Sequence, residues 1–140
     1  MILLDTNVIS ELMRAEPAQI VLNWFGNHDA GDLFISAVTE AELRTGVAIL
    51  PEGQRRDRLQ LAIDAMIDQD FQSRVLPFDS PAAKAYAEIA AQRRAAGRPL
   101  AEADCQIAAI ARATDAPIAT RNVKDFDGCG VRVINPWNAE

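Results

Sequence analysis

A chain of 140 residues, 49% hydrophobic and 24% charged, has the size and balance of one globular domain with a single core. Its net charge of −6 argues against a surface built for nonspecific polyanion binding, although acids gathered at a metal site would lower the net charge by themselves. No apolar run approaches the ~20 residues of a membrane span, no basic segment precedes the first apolar residues as in a signal peptide, and Cys105 and Cys129 alone make neither a disulfide framework nor a zinc-finger spacing, so the cytoplasm is the expected compartment.

The chain opens Met1-Ile-Leu-Leu-Asp-Thr-Asn-Val-Ile-Ser10. Ile2, Leu3 and Leu4 form a continuous apolar run, as expected of a strand buried on both faces of a parallel sheet. Asp5 ends that run, at the carboxyl end where open α/β sheets place their ligands. Thr6 and Asn7 cap a helix beginning near Val8 and running to Met13. A desolvated carboxylate needs something positive against it, either a helix N-terminus or a metal ion, and Asp5 read alone leaves both open.

Pro17 suits the first turn of a second helix, Ala18 to Asn27, which buries Ile20, Val21, Trp24 and Phe25. A turn over 26–31, containing His28, leads to a second strand, Leu33-Phe34-Ile35. Ser36 or Thr39 caps a helix from Val38 to Leu50 with Leu43, Val47 and Leu50 inward. After Pro51-Glu-Gly53, an amphipathic helix from Gln54 to Asp70 turns Leu59, Ala62, Ile63, Met66 and Ile67 to the core. Val75-Leu76 is a third strand. Asp79-Ser80-Pro81 starts a helix ending near Ala96, before Gly97. Ala101 to Thr114 is a further helix, in which Cys105 is a small core residue. Ala116 to Ala119 and Val131 to Ile134 are the last strands, separated by a polar stretch from Thr120 to Asp127. Short strands alternating with helices predict an α/β fold: a central parallel sheet of about five strands flanked by helices in three layers.

Polar clusters recur at comparable points of this plan. Asp5 ends the first strand, Glu40 and Glu42 start the helix after the second, Asp104 sits in a first helical turn, and Asn122 and Asp125 follow the fourth strand. If the strands are parallel, these positions share one edge of the sheet. Carboxylates gathered there repel one another unless a hard divalent cation such as magnesium joins them, and such a cation suits phosphodiester hydrolysis. Singly, each acid also has a plain reading: Glu40 and Asp104 as first-turn helix acids, Glu42 as a surface acid, Asp125 as a turn residue.

Four segments in order carry a family resemblance: Met1 to Ser10, Thr39-Glu-Ala-Glu-Leu-Arg-Thr-Gly46, Leu100-Ala-Glu-Ala-Asp-Cys-Gln-Ile-Ala108 and Ala119-Thr-Arg-Asn-Val-Lys-Asp-Phe126. Together they resemble the PIN-domain ribonucleases, and within them the VapC toxins of type II toxin–antitoxin pairs; the closing Asn135-Pro136-Trp137 is most like the FitB-like branch. The resemblance covers essentially the whole chain and implies a single PIN domain over residues 1–140. It implies a Mg²⁺-dependent endoribonuclease, with Mn²⁺ as a substitute, that inhibits growth until neutralised, with transfer RNA a reasonable target. Matched position by position, it makes Asp5 and Asp104 the metal ligands and Glu42 the residue that orients or deprotonates the attacking water. Thr6, Asn7 and Thr120 then support the site. Asn122 stands where many members carry an acid, so Asp125 is the alternative carboxylate and one metal is favoured over two. Arg44, Arg93, Arg94, Arg98, Arg121 and Lys124 are candidates for the RNA backbone. The implied partners are a VapB-like antitoxin, a second copy of the chain in a homodimer, and a larger toxin–antitoxin assembly that binds DNA through the antitoxin. Ile9, Leu12, Met13, Trp24 and Phe25 are candidates for the antitoxin or dimer face, with the core the favoured place for Trp24 and Phe25. Two rival readings are a structure-specific DNA nuclease and a non-catalytic acidic pocket that docks a basic peptide.

Overall fold

The computed structural model describes residues 1–138. Five short strands, β1 (Ile2–Leu4), β2 (Leu33–Ser36), β3 (Val75–Leu76), β4 (Ile118–Ala119) and β5 (Val133–Ile134), form one sheet in the order β3-β2-β1-β4-β5. Every pairing is parallel, with Leu3 opposite Phe34 on one side and Ile118 on the other. The helices are α1 (Thr6–Leu12), α2 (Gln19–Gly26), α3 (Ala37–Ala48), α4 (Gln54–Ala65), α5 (Ser80–Ala95), α6 (Glu102–Ala113) and the single turn α7 (Val123–Phe126). Among the described residues no helix is long and apolar enough to cross a membrane.

Alternation along β1 divides the core. Leu3 packs on one face of the sheet with Ala85 and Ile89 of α5 and Ile107 and Ile110 of α6, while Leu4 packs on the other with Val8, Ile9, Trp24, Leu43 and Ile63. Both leucines are fully buried, each contributing about 2 kcal/mol. Ala108, Ala109 and Ala111 let α6 lie close against its neighbours, which is why so alanine-rich a segment forms a buried helix.

The three-layer α/β plan read from the sequence is the one observed. Local differences have physical causes. The segment expected to be one helix from Gln54 to Asp70 ends as an α-helix at Ala65, and Met66–Asp70 widens into a π turn. Phe71 N–H accordingly bonds Met66 O at 2.9 Å, five residues back. The wider turn buries Ile67 and Phe71 in the core, while Ala62, on α4 before that turn and expected to face inward, is exposed. On α2, Val21 and Trp24 are buried, whereas Ile20 is 38% exposed.

The strand order places the topological switch at β1, whose neighbours β2 and β4 lie on opposite sides. Open α/β sheets carry their ligand crevice at the carboxyl edge there. Asp5, Ser36 and Thr120 are the residues at that edge.

Candidate active site

Asp5 is 3% exposed and serves as the N-cap of α1. Its Oδ1 accepts from Thr6 N–H at 2.8 Å. Its Oδ2 accepts from the Thr120 hydroxyl at 2.8 Å and the Asn7 amide at 3.2 Å. Thr120 ends the adjacent strand β4, so parallel pairing brings a residue 115 positions away against Asp5. Burial pushes the Asp5 carboxyl above its ordinary range, the Thr120 and Thr6 bonds pull it back, and repulsion from Glu42 and Asp125 adds to the rise.

Glu42 is held from α3. Its Oε1 lies 2.6 Å from Thr6 Oγ1, which lies 3.0 Å from Thr39 Oγ1. A carboxylate only accepts, so the single Thr6 proton points to Glu42, and Thr39 donates to Thr6 in turn. Ser36, the N-cap of α3, accepts from Thr39 N–H at 3.0 Å and sits 3.4 Å from the Thr39 hydroxyl. Ser36, Thr39 and Thr6 thus form a file of hydroxyl donors that ends on the Glu42 carboxylate at the cleft, its first two members fully buried.

Asp104 comes from the first turn of α6 and is half-buried. Burial raises its carboxyl to about 6, with further repulsion from Asp5, Asp125 and Glu42. Asp5, Glu42 and Asp104 line one cavity of about 450 Å³, together with Thr6, Asn7 and Asn122. Asn122 directs its backbone N–H to Thr120 Oγ1 at 3.0 Å and is exposed at the cavity edge. Asp125 is exposed on α7, outside the lining, yet close enough for its charge to reach Asp5 and Asp104. Glu40 turns away, paired with Arg44 at 2.7 Å.

Among the described residues none of Asp5, Glu42, Asp104 and Asp125 forms an ion pair, and no group of three or more His, Cys, Asp or Glu side chains converges on a metal-holding geometry. Two mutually repelling carboxylates with neutral oxygens beside them fit a hard cation that keeps several waters, since magnesium commonly takes only one or two protein carboxylates. They do not fit a cage of three or four acids.

Of the basic residues considered from sequence, Arg121 lines this cavity. Arg44 is committed to Glu40 and Asp64, each at 2.7 Å. Arg94 lines a separate cavity of about 640 Å³ between α5 and the approach to α6. Lys124 and Arg98 are exposed beside each other, with Arg98 Nη2 3.5 Å from Lys124 O. Arg93 is 8% exposed and donates from Nε to Arg98 O at 2.7 Å and from Nη1 to Asp127 O at 2.6 Å. It joins the loop that leads into α6, carrying Asp104, to the end of α7, carrying Asp125. Arg93→Met is expected to lower stability by about 2 kcal/mol, because two carbonyls lose a charged donor. A urea transition with a lower midpoint and an unchanged slope would show it.

Sequence reasoning passed over Ser10, Glu11, Arg14 and Trp137, which also line the acidic cavity. For Ser10 and Glu11 the available signal was helical spacing, since they follow Asn7 at three and four residues.

Comparison with known proteins agrees with this architecture. The family model described as PIN domain matches residues 2–128. The plasmid stability protein StbB of Pseudomonas syringae pv. tomato is 48% identical over 139 residues, covering 99% of this chain and 100% of that protein. The VapC ribonuclease Y4jK of Sinorhizobium fredii is 44% identical over 137 residues, covering 98% of each chain. The crystal structure of FitAcB from Neisseria gonorrhoeae superposes with a TM-score of 0.93 at 42% identity, covering 99% of this chain and 100% of that one. On the strength of the family match and of relatives alike from end to end, the chain belongs to the PIN-domain family and, within it, to the VapC-type, FitB-like toxins.

Proposed function

We propose that this chain is a single-domain, Mg²⁺-dependent endoribonuclease, the toxin of a type II toxin–antitoxin pair acting in the cytoplasm. The observation that carries the reading is the convergence of Asp5, Glu42 and Asp104 on one cavity with no cation paired to them among the described residues. Asp5 and Asp104 hold the metal, which when bound lowers the pKa of a coordinated water and offsets charge growing on the phosphate. Glu42, steadied by Thr6, orients the attacking water and takes its proton. Thr120 and Asn7 fix the Asp5 carboxylate, and Asn122 supplies a neutral oxygen at the cavity edge, with Asp125 as the nearby charge. RNA is the substrate, with transfer RNA the target suggested by the resemblance.

The antitoxin reading is supported by an apolar groove of about 800 Å³ on the opposite side of α1, where Ile9, Leu12, Met13 and Phe25 meet Met66 and Phe71. Trp24, considered for the same face, is buried in the core. The groove fits the apolar side of an antitoxin segment, and a homodimer carrying two antitoxins would bring paired DNA-binding modules together.

The test is cleavage of purified transfer RNA and total RNA with Mg²⁺, then with excess EDTA. Cleavage is expected with Mg²⁺, restored by Mn²⁺ and lost with EDTA. Cleavage untouched by EDTA removes the metal from the reading, and absence of cleavage together with absence of Mg²⁺ binding favours a docking pocket. Cleavage of branched DNA in preference to RNA would make the protein a DNA nuclease.

A further inference from the structure

The acidic cavity has a second end of opposite character. Asn7, Ser10 and Glu11 share one face of α1, and Arg14, two residues past the end of that helix, continues the same wall of the cavity. Glu11 is 6% exposed and fixed by Ala18 N–H at 2.8 Å, a bond that, with Arg14, holds its carboxyl below the ordinary range. Both Glu11 oxygens grip Arg14 Nη1, at 3.2 and 3.1 Å, while 63% of the Arg14 side chain stays exposed. Arg121 is placed from the other wall. Its backbone N–H reaches Asn7 Oδ1 at 3.3 Å, and its guanidinium carbon lies 5.1 Å from the centre of the Trp137 ring. Trp137 is half-buried, and its own N–H is tied to Asn135 Oδ1 at 3.0 Å. Two arginines against one glutamate leave this end with a net positive charge. The other end carries Asp5, Glu42 and Asp104.

We propose that Arg14, Arg121 and Trp137 form a nucleotide subsite next to the cleavage centre. The arginines hold a phosphate flanking the scissile one, and the Arg121–Trp137 pair gives the unpaired base of that nucleotide a flat surface to lie against. This rests on the ribonuclease reading of the acids. It adds that the strand enters unpaired and lies along α1. The chemistry fits the residues. Phosphate is positioned by preoriented guanidinium groups, and a base stacks on indole or guanidinium planes only when it is free of a partner. An acidic peptide would use the arginines and leave the aromatic face idle.

The test is binding rather than cleavage. A labelled single-stranded RNA octamer, the same octamer made abasic, and an RNA duplex are titrated by anisotropy against full-length Asp104→Asn protein and its Arg14→Ala and Trp137→Leu derivatives. Arg14→Ala is expected to weaken the octamer and its abasic form alike, by about tenfold, and to reduce the salt slope by roughly 0.7. Trp137→Leu is expected to weaken the octamer by about fivefold or more and to leave the abasic strand within twofold. The duplex should bind less tightly than the octamer. Equal octamer binding with and without Arg14 overturns the phosphate contact, and a Trp137→Leu effect equal on octamer and abasic strand overturns the base contact. Arg14 is exposed, so its variant folds even if loss of Trp137 loosens the tail. Octamer binding with these dependences by a wild-type protein that cleaves nothing would fail the nuclease reading and leave the subsite standing.

Discussion

Asp104→Asn is expected to abolish RNA cleavage while making the metal-free protein more stable at neutral pH. The two effects share one cause. Asp104 is half-buried, faces Asp5, Glu42 and Asp125, and has its carboxyl raised from 3.8 to about 6. A carboxyl whose folded pKa lies above its unfolded one favours the fold fully below the unfolded value, and that contribution is lost as pH rises through about 6. At pH 7 the ionised side chain therefore opposes folding. The full shift corresponds to about 3 kcal/mol, and discounting for solvent around a half-buried group leaves about 1–2 kcal/mol. Asparagine removes the charge and keeps the shape. Calorimetry at pH 7 should show a Tm roughly 3–6 °C higher for the variant, and the difference should vanish below pH 4. Cleavage should fall by at least about 100-fold, since loss of a ligand's supporting partner alone can cost that much. A variant that cleaves as well as the wild type would remove Asp104 from the metal site. A lower Tm at pH 7 would mean that Asp104 has a partner that stabilises it.

Asp5→Ala should be equally inactive and less stable. Here the carboxylate is also structural: it caps α1 and accepts from Thr6, Thr120 and Asn7. Removing the cap costs about 1 kcal/mol. Leaving the fully buried Thr120 hydroxyl without an acceptor costs about 1–3 kcal/mol more. Relief of a desolvated charge offsets part of this, for a net loss of about 2 kcal/mol. Asp5→Asn keeps an oxygen for Thr6 N–H, and should lie closer to the wild type in urea while remaining inactive. Wild-type cleavage by Asp5→Ala would end the metal-ligand assignment, and an unchanged urea midpoint would end the account of Asp5 as the tie between β1 and β4.

The contrast between these acids shows what the sequence makes legible. Ile2-Leu3-Leu4-Asp5 reads as a buried strand ending in an acid, because a two-sided apolar run and a charge next to a helix start are local properties. The convergence of Asp5 with Thr120 is not local. It follows from β1 pairing with β4 rather than with β5, a choice made by packing across both sheet faces. Asp104 reads as a first-turn acid from spacing alone, but its repulsion by Asp5 exists only in three dimensions. Arg93 illustrates the reverse. Beside Arg94 at a helix end it looks like one of two surface cations, yet the turns after α5 and α7 bring two carbonyls to it and bury it. The π turn after Ala65 is equally silent in sequence, since Met66 and Ile67 suit an α-helix and a wider turn alike. Arg14 and Trp137 lie far apart in the chain and line one cavity because the segment after the last strand packs against α2.

The place of β1 at the middle of the sheet has a consequence for how the protein breathes. The Asp5 amide donates to Ala119 O at 2.9 Å and Leu3 to Pro117 O at 2.9 Å, between two fully covered faces. A strand held from both sides opens only when the whole domain does. The carboxylate at its end thus stays in register with Thr120 as long as the domain is folded, whereas β5, which precedes Trp137, is paired on one side only, to β4. The cavity therefore has one wall anchored at the middle of the sheet and another carried by the segment that follows its edge strand.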